Sequence, residues 1–293
     1  MHLGEYLACA TKRLIEAGVD SPRLSAEILA CEVLCLHSVQ SVPSSARLFC
    51  ITETRRELSE DEVERLDLRL AKRAAGCPVA QIVGRKEFYG RDFLVSRHTL
   101  IPRPETELLV DIILQKLPDC LQNFADLGTG SGCIGCILAV ERPSWRGLLI
   151  DSSIAALKVA QANSMRLGLE QRLSVLCGDI QRPPLLGCSL DILVSNPPYI
   201  AWSERDSVME EVFRWEPRDA LFSEENGLQH LAGCIKAAAL TLRPGGWVLL
   251  EHGATQGQAV RQMLCDQGVF VRSKTEHDLA GHERCTYAQK RVN

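Results

Sequence analysis

From Leu3 to about Ala75 apolar residues recur at three- and four-residue intervals, as at Leu24, Ile28 and Leu29 and again at Leu66 and Leu70. That spacing puts one face of an α-helix against a core. Pro22, Pro43 and Ser59 divide the stretch, because proline is tolerated in a first helical turn and serine caps helix starts. The pattern predicts a small all-helical domain over residues 1–76. Its charges are balanced and it holds no catalytic constellation, which suits an accessory module that helps select a macromolecular substrate.

After Cys77-Pro78 the period shortens. Val79 to Val83, Phe88 to Tyr89 and Arg91 to Val95 are β-prone runs set off by Gly84 and Gly90, predicting a β-hairpin linker over 77–100. Ile101-Pro-Arg-Pro-Glu-Thr-Glu107 follows, a rigid, acidic lead into a helix over Leu108 to Leu117. Strand-like and helix-like segments then alternate through a domain spanning 101–293. The apolar runs Asn123 to Leu127, Gly147 to Ile150, Leu173 to Leu176, Leu190 to Ser195 and Trp247 to Leu250 are predicted strands. Val159 to Leu167, Leu228 to Leu240 and Gln256 to Asp266 are predicted helices. Such alternation predicts an α/β fold, a mostly parallel sheet with helices on both faces.

Composition narrows the class. With 293 residues, 46% hydrophobic and 24% charged, the chain suits a soluble globular protein with two unequal cores. A net charge of -4 lacks the basic excess that displaces counterions from phosphate, so no direct nucleic-acid binding is expected. The thirteen cysteines are odd in number and sit in apolar patterns, and no secretory leader precedes them, which points to free thiols in a reducing cytoplasm. Cys133 and Cys136 form a CxxC without a second ligand pair; they read as small hydrophobes, and no metal site is expected. No apolar run approaches the ~20 residues of a membrane-spanning helix, so no membrane association is expected.

Chemistry enters at Asp126-Leu-Gly-Thr-Gly-Ser-Gly132, which follows a predicted strand and opens a helix near Ile134. Glycines allow a tight turn and close approach of backbone to a ligand. Asp151 closes the next strand roughly twenty residues on, where a carboxylate can take both hydroxyls of a ribose. A nicotinamide cofactor would suit such a loop, but glycines at 128, 130 and 132 alternate, unlike the GxGxxG pyrophosphate fingerprint. Alternate glycines after an acidic residue resemble the first motif of class I methyltransferases. Gly178-Asp179-Ile180 closes a third strand, where such folds hold a carboxylate near the adenine amine.

Ser195-Asn-Pro-Pro-Tyr199 follows the apolar run Leu190 to Val194. Two prolines after a strand fix the backbone, remove two N–H donors and leave carbonyl oxygens to accept. A planar amide or aromatic amine is a poor nucleophile because its lone pair is delocalised. If the Asn196 side-chain oxygen and the Pro197 carbonyl each accept one N–H, the NH2 group is held with its lone pair toward a sulfonium methyl, and alignment lowers the barrier. No strong general base is needed, since the proton leaves a nitrogen already made cationic. Tyr199 offers a face for the flat acceptor.

With both motifs present, the chain resembles the release factor glutamine methyltransferases, which are similar in turn to the wider NPPY methyltransferases. The resemblance covers the helical N-terminal segment, Ile101 to Glu107, Asp126 to Gly132 and Ser195 to Ile200. It continues through Glu216-Pro217, Ala220-Leu221, Pro244 to Gly246, Leu250 to Gly253 with Gln256, and Asp278 to Gly281 with Glu283-Arg284.

That resemblance implies a Rossmann-like class I methyltransferase fold and S-adenosylmethionine as cofactor. It implies that Gly128, Thr129, Gly130, Ser131, Gly132 and Asp151 hold the cofactor, with Asp179 and Ile180 beside the adenine and Asn196 at the meeting point of cofactor and acceptor. Asn196, Pro197, Pro198 and Tyr199 would bind the acceptor glutamine, with Asn196, Pro197 and Tyr199 catalytic. Arg103 and Glu105 would shape the way in, a capped and charged helix start being the alternative reading. The partner implied is a class-1 peptide chain release factor, methylated on the glutamine of its Gly-Gly-Gln loop. Ile180 stands where relatives often carry an aromatic residue, and His282 where they usually carry arginine.

Two rivals share the same chemistry. A sister group methylates a glutamine of a ribosomal protein but lacks the run Pro102 to Glu107 matched here. An adenine-N6 methyltransferase would need to flip a base and grip phosphates, which the acidic balance disfavours. His98, His252 and His282 fall in no motif that places them beside the acceptor nitrogen and read as surface or core histidines, and Glu251 as a structural strand end.

Overall fold

The computed structural model describes residues 1–34, 43–120 and 122–292; Cys35 thus lies outside the described residues. The chain divides into two compact units, Met1–Asp92 with Glu210–Trp215, and Phe93–Met209 with Glu216–Asn293.

The first unit is built from helices α1 (Leu3–Glu16), α2 (Pro22–Leu34), α3 (Pro43–Thr52), α4 (Glu60–Ala74) and α5 (Val79–Val83). Pro22 and Pro43 open helices as expected, and the Ser59 hydroxyl accepts from the Glu62 N–H to cap α4. Leu3, Leu7, Leu14, Ala30, Leu66 and Leu70 form the core, with Leu29 buried and Leu24 on the exposed side of α2. Val79 to Val83 is one helical turn and not the expected β-run. Pro78 at its start and Gly84 in the left-handed region at its end (φ 80°) bracket a segment too short for its β-branched residues to decide. Strands β1 (Arg85–Phe88) and β2 (Arg91–Leu94) form a two-stranded sheet. Tyr89 and Gly90 turn between them at φ 53° and 72°, the doubly left-handed geometry that follows strand twist. The division between units falls inside this hairpin.

The second unit runs through α6 (Glu107–Lys116), β3 (Asn123–Leu127), α7 (Cys133–Glu141), β4 (Arg146–Asp151), α8 (Ile154–Arg166), β5 (Leu173–Cys177), β6 (Leu190–Ser195) and β7 (Ile200–Ala201). After α9 (Glu210–Trp215), which belongs to the first unit, come β8 (Phe222–Ser223), α10 (Gln229–Thr241), β9 (Leu242–Glu251), α11 (Gly257–Asp266), β10 (Phe270–His277) and β11 (Glu283–Lys290). Seven strands form one sheet in the order β10-β11-β9-β6-β3-β4-β5. The five from β9 to β5 are parallel, and β11 is antiparallel to both its neighbours.

Period-two alternation sorts the side chains. Ala125, Leu127, Ile150, Leu193 and Leu250 pack in one cluster with Leu231, Ile235, Val260 and Leu264 of α10 and α11. Their neighbours Phe124, Leu149, Ile192 and Val194 are buried too, as strands covered on both faces require.

Chain order fixes where a ligand can sit. The chain passes from β3 outward to β4 and β5, then returns to β6 on the other side of β3, so the loops after β3 and β6 leave in opposite directions. Open parallel sheets form their crevice at such a point, outside the carboxyl ends of the strands.

Asn163 of α8 ties this end of the sheet together. Its side-chain N–H groups donate to the carbonyls of Leu94 and Ser131, and its oxygen accepts from the Leu94 N–H at 2.7 Å. Asn163→Ala strands an N–H and two carbonyls, a loss of about 2–4 kcal/mol. A denaturant titration with unchanged slope should show it; a midpoint within error of the unaltered chain would refute it.

Candidate active site

The glycine loop leaves β3 with Gly128, Gly130 and Gly132 at φ 67°, 56° and 81°, conformations that side chains rarely adopt. At Gly128 a Cβ would come within 2.9 Å of Ile180 Cδ1, so backbone and Ile180 share one tight wall. Asp126, 1% exposed, anchors the loop. One carboxylate oxygen accepts from the Thr129 hydroxyl at 2.6 Å and the Gly135 N–H at 3.1 Å, while the other is buried without a partner among the described residues. Burial pushes this carboxyl up to about 7, against those two hydrogen bonds.

A cavity of about 330 Å³ opens above the loop. Gly128, Thr129, Gly130 and Ser131 line it from β3, Asp151 from β4, Asp179 and Ile180 from the end of β5, and Asn196 and Pro198 from the end of β6. Asp151 accepts from the Gly130 N–H and the Ser153 N–H, each at 2.9 Å, which leaves lone pairs on both oxygens. Burial raises its pKa, and the Ser153 and Gly130 N–H groups oppose the rise. Asp179 is exposed and accepts from the Gln181 N–H. The cofactor-side residues expected from sequence are thereby brought together, except that Gly132 lies behind the wall, against Ala160.

On the acceptor side, Asn196 follows β6 and donates from Nδ2 to the Thr106 hydroxyl at 3.1 Å. Among the described residues this is its side chain's only protein hydrogen bond, so the oxygen of the same amide remains for a ligand. Tyr199 does not line the cavity. Its ring packs on the apolar cluster beneath α10, and its hydroxyl donates to Glu251 Oε1 at 3.2 Å. Burial raises its phenol pKa, and the Glu251 charge adds to this. Burial also pushes the Glu251 carboxyl up to about 7, opposed by the Thr106 hydroxyl, Arg284 and Tyr199. Pro197 is buried beside the cavity-lining Pro198.

Arg103 lines the cavity and pairs with Glu216, a carboxylate that also takes the Ile101 N–H. Glu216 thus clamps the proline-rich lead into α6. Glu105 is exposed and outside the lining. His98 and His230, which sequence reasoning did not single out as site residues, do line it, as do Pro217 and Asp219. Burial lowers the pKa of His230, whose Nδ1 is 2.8 Å from the Ser223 hydroxyl. His252 is fully buried, bonded to the Thr286 hydroxyl, and away from the cavity. Burial pushes the Cys133 thiol up to about 12 and raises Cys136 as well, as for inert apolar-site cysteines.

Comparison with known proteins decides the family. The release factor glutamine methyltransferase of Nitratidesulfovibrio vulgaris is 40% identical over 97% of this chain and 93% of its own. That of Koribacter versatilis is 39% identical over 99% of both chains, and that of Vibrio cholerae 38% over 97% and 95%. The chain belongs to the release factor glutamine methyltransferase family.

Family models agree: the PrmC N-terminal domain matches residues 5–84 and the methyltransferase small domain residues 104–224. Among solved structures, the hMettl16 catalytic domain in complex with the MAT2A 3'UTR hairpin 6 shares the fold, with a TM-score of 0.55 and 19% identity over 77% of this chain and 82% of that one. The fold is that of class I methyltransferases, and the cofactor of this family member is S-adenosylmethionine. The cavity suits it. The wall at Gly128 has no room for a side chain, Asp151 keeps lone pairs for a diol, and Ile180 gives an apolar face beside Asp179. Among the described residues the one permanent cation of the lining, Arg103, is already paired with Glu216, which leaves no cluster of cations there for a pyrophosphate.

The raised Asp126 carboxyl has a measurable consequence. Its folded-state pKa of about 7 lies above the ordinary 3.8, so the folded chain keeps a proton that the unfolded chain releases. The stability this confers is complete below about pH 4 and is lost as pH rises through about 7. Asp126→Asn has no such proton. The melting temperature of the unaltered chain minus that of the variant should fall between about pH 4 and 7 and then level off; a difference that is flat throughout would refute the raised carboxyl.

Proposed function

We propose that the chain transfers the methyl group of S-adenosylmethionine to the side-chain amide nitrogen of the glutamine in the Gly-Gly-Gln motif of class-1 peptide chain release factors. The observation that carries this reading is the Asn196 amide: its NH2 end is engaged by Thr106 and its oxygen is left for a ligand in the cavity. An acceptor that fits must bring N–H groups on a planar nitrogen, as the end of a glutamine side chain does.

S-adenosylmethionine, when bound, supplies an electrophilic methyl group on a sulfonium sulfur. The chain's residues orient and enclose. Gly128, Thr129, Gly130 and Ser131 would form the bed, with Gly132 packed behind it against Ala160; Asp151 would take the ribose hydroxyls, and Asp179 with Ile180 would meet the adenine. Asn196 Oδ1 and the Pro197 carbonyl accept the two N–H groups of the acceptor amide, which turns its lone pair toward the methyl. The chemistry so supplied would be methyl transfer to that nitrogen; the chain's own part is to hold the lone pair in line, and the proton of the methylated nitrogen would pass to water. Alignment lowers the barrier in such a scheme.

Relatives named for release factor substrates over nearly the full chain support this acceptor class. The helical N-terminal region serves as the module that engages the release factor, and Arg103, held by Glu216, borders the way in. The cytoplasm is the compartment in which a release factor and free thiols coexist; among the described residues no helix is long and apolar enough to cross a membrane.

Two substitutions separate the assigned roles. Asn196→Ala should lower methyl transfer by at least about 100-fold with cofactor affinity nearly intact, and Asp151→Ala should weaken the cofactor first, by about 10-fold or more. The deciding assay follows label from S-adenosylmethionine into a purified class-1 release factor, beside the same factor with its loop glutamine changed to alanine and beside unmethylated DNA. Label confined to the unaltered factor supports the reading. Label in DNA, or in the alanine variant, overturns the acceptor named here.

A further inference from the structure

Asn196 can present its oxygen or its NH2 group to the cavity, and the two ends of an amide are alike in shape. Something must fix the choice, because an NH2 facing an acceptor NH2 sets donor against donor. The half-buried Asn196 meets two buried groups nearby. Asn196 follows β6 and Glu251 ends the neighbouring β9, with Ser195 paired in register to Leu250. Thr106, 3% exposed, closes the helical turn Pro104–Thr106 and takes the Asn196 Nδ2–H at 3.1 Å. Glu251 is 2% exposed; its Oε1 accepts from Tyr199, and its Oε2 is buried without a partner by hydrogen-bond geometry among the described residues.

A threonine hydroxyl has one proton and lone pairs that accept. With its lone pair turned to Asn196, the proton is free for the strongest acceptor in reach. Glu251, whose Oε2 has no partner among the described residues, is that acceptor, and the Thr106 hydroxyl favours its charged form. We infer that Glu251, acting through Thr106, is the positioning group that fixes the amide orientation of Asn196 and so makes the site accept N–H donors. Once ionised, Glu251 can only accept, and this sets the direction of every bond: Thr106 donates to Glu251, Asn196 donates to Thr106, and the Asn196 oxygen receives the substrate. This inference rests on the acceptor role of Asn196 proposed above.

Replacing Glu251 by glutamine lets an NH2 group face Thr106, so the hydroxyl can turn and donate to Asn196, whose amide then reverses. Thr106→Val keeps the shape and removes the link, and Thr106→Ser keeps the link. The test measures methyl transfer to a class-1 release factor, over a range of its concentrations, for the full chain and for Thr106→Val, Thr106→Ser, Glu251→Gln and the Val/Gln double variant, with cofactor affinity by calorimetry.

Thr106→Val and Glu251→Gln should each lower kcat/KM for the release factor about 10- to 100-fold while cofactor affinity moves less than about threefold. Thr106→Ser should stay within about threefold of the unaltered chain, and the double variant should be no worse than the poorer single, since both cut one chain of bonds. If Thr106→Val does not fold, seen as lost cofactor binding, Thr106→Ala takes its place against Thr106→Ser. Unchanged turnover in the hydroxyl-less variant, equal losses in Ser and Val, or additive losses overturn the inference. Failure of the unaltered chain to label the release factor overturns both this inference and the acceptor reading; normal label with full activity in Thr106→Val overturns this one alone.

Discussion

The side-by-side register of β3, β4, β5 and β6 is the constraint on which the site depends. Leu127 is level with Ile150 and Ser195, and Asp151 with Cys177, so the chain leaves four strands at the same height. One residue after each strand, or at its last position, stands a group with chemistry: Gly128, Asp151, Asn196 and, one step further, Asp179. A slip of one residue in any pair would turn the whole strand over and move its group to the wrong face. The apolar alternation that buries both faces of the sheet therefore also sets the geometry of the cavity.

Burial at this edge has an electrostatic consequence. Asp126, Asp151 and Glu251 are all held in surroundings that disfavour their charge. Each is met by donors: backbone N–H groups for Asp151, a hydroxyl and an N–H for Asp126, and a phenol with Arg284 nearby for Glu251. Charge-assisted hydrogen bonds of this kind are directional, and an unmade one in a buried site is expensive. They stiffen the loop and the strand ends they join, which suits a reaction whose barrier is lowered by alignment.

Much of this was legible in the chain. Asn123 to Leu127 and Leu190 to Ser195 read as strands with their observed limits, because each is an apolar run bounded by turn chemistry. The antiparallel pair β10 and β11 was not read. Arg272, Ser273 and Lys274 are all exposed on β10, so an edge strand without a continuous apolar run leaves little signal. Val79 to Val83 misled for the opposite reason, since β-branched composition was outweighed by the proline and glycine that bracket it. At the site, glycine spacing and the strand-end aspartates announced themselves. The direction of the Tyr199 ring did not, because a sequence shows an aromatic residue but not which side of a strand end it packs against. Thr106 and Glu251 were equally hidden: one sits in a turn, the other ends a strand 145 positions later, and only the fold sets one against Asn196 and the other against Tyr199.

The polarity of that contact bears on selectivity. An amide and a carboxylic acid differ by a single atom, yet a site whose free ends are oxygens meets them differently. The Asn196 oxygen and the Pro197 carbonyl attract N–H groups, whereas a glutamate at the same place would bring anionic oxygens against two acceptors. Neither contact could form, and the acceptor carbonyls would be desolvated without compensation. Polar groups built to pair with N–H reject the analogue that lacks it far more strongly than an apolar pocket rejects a change of size. On the proposed chemistry, glutamine is therefore chosen over glutamate by the same fixed oxygens that turn its nitrogen toward the methyl group, and orientation and selectivity have one physical origin.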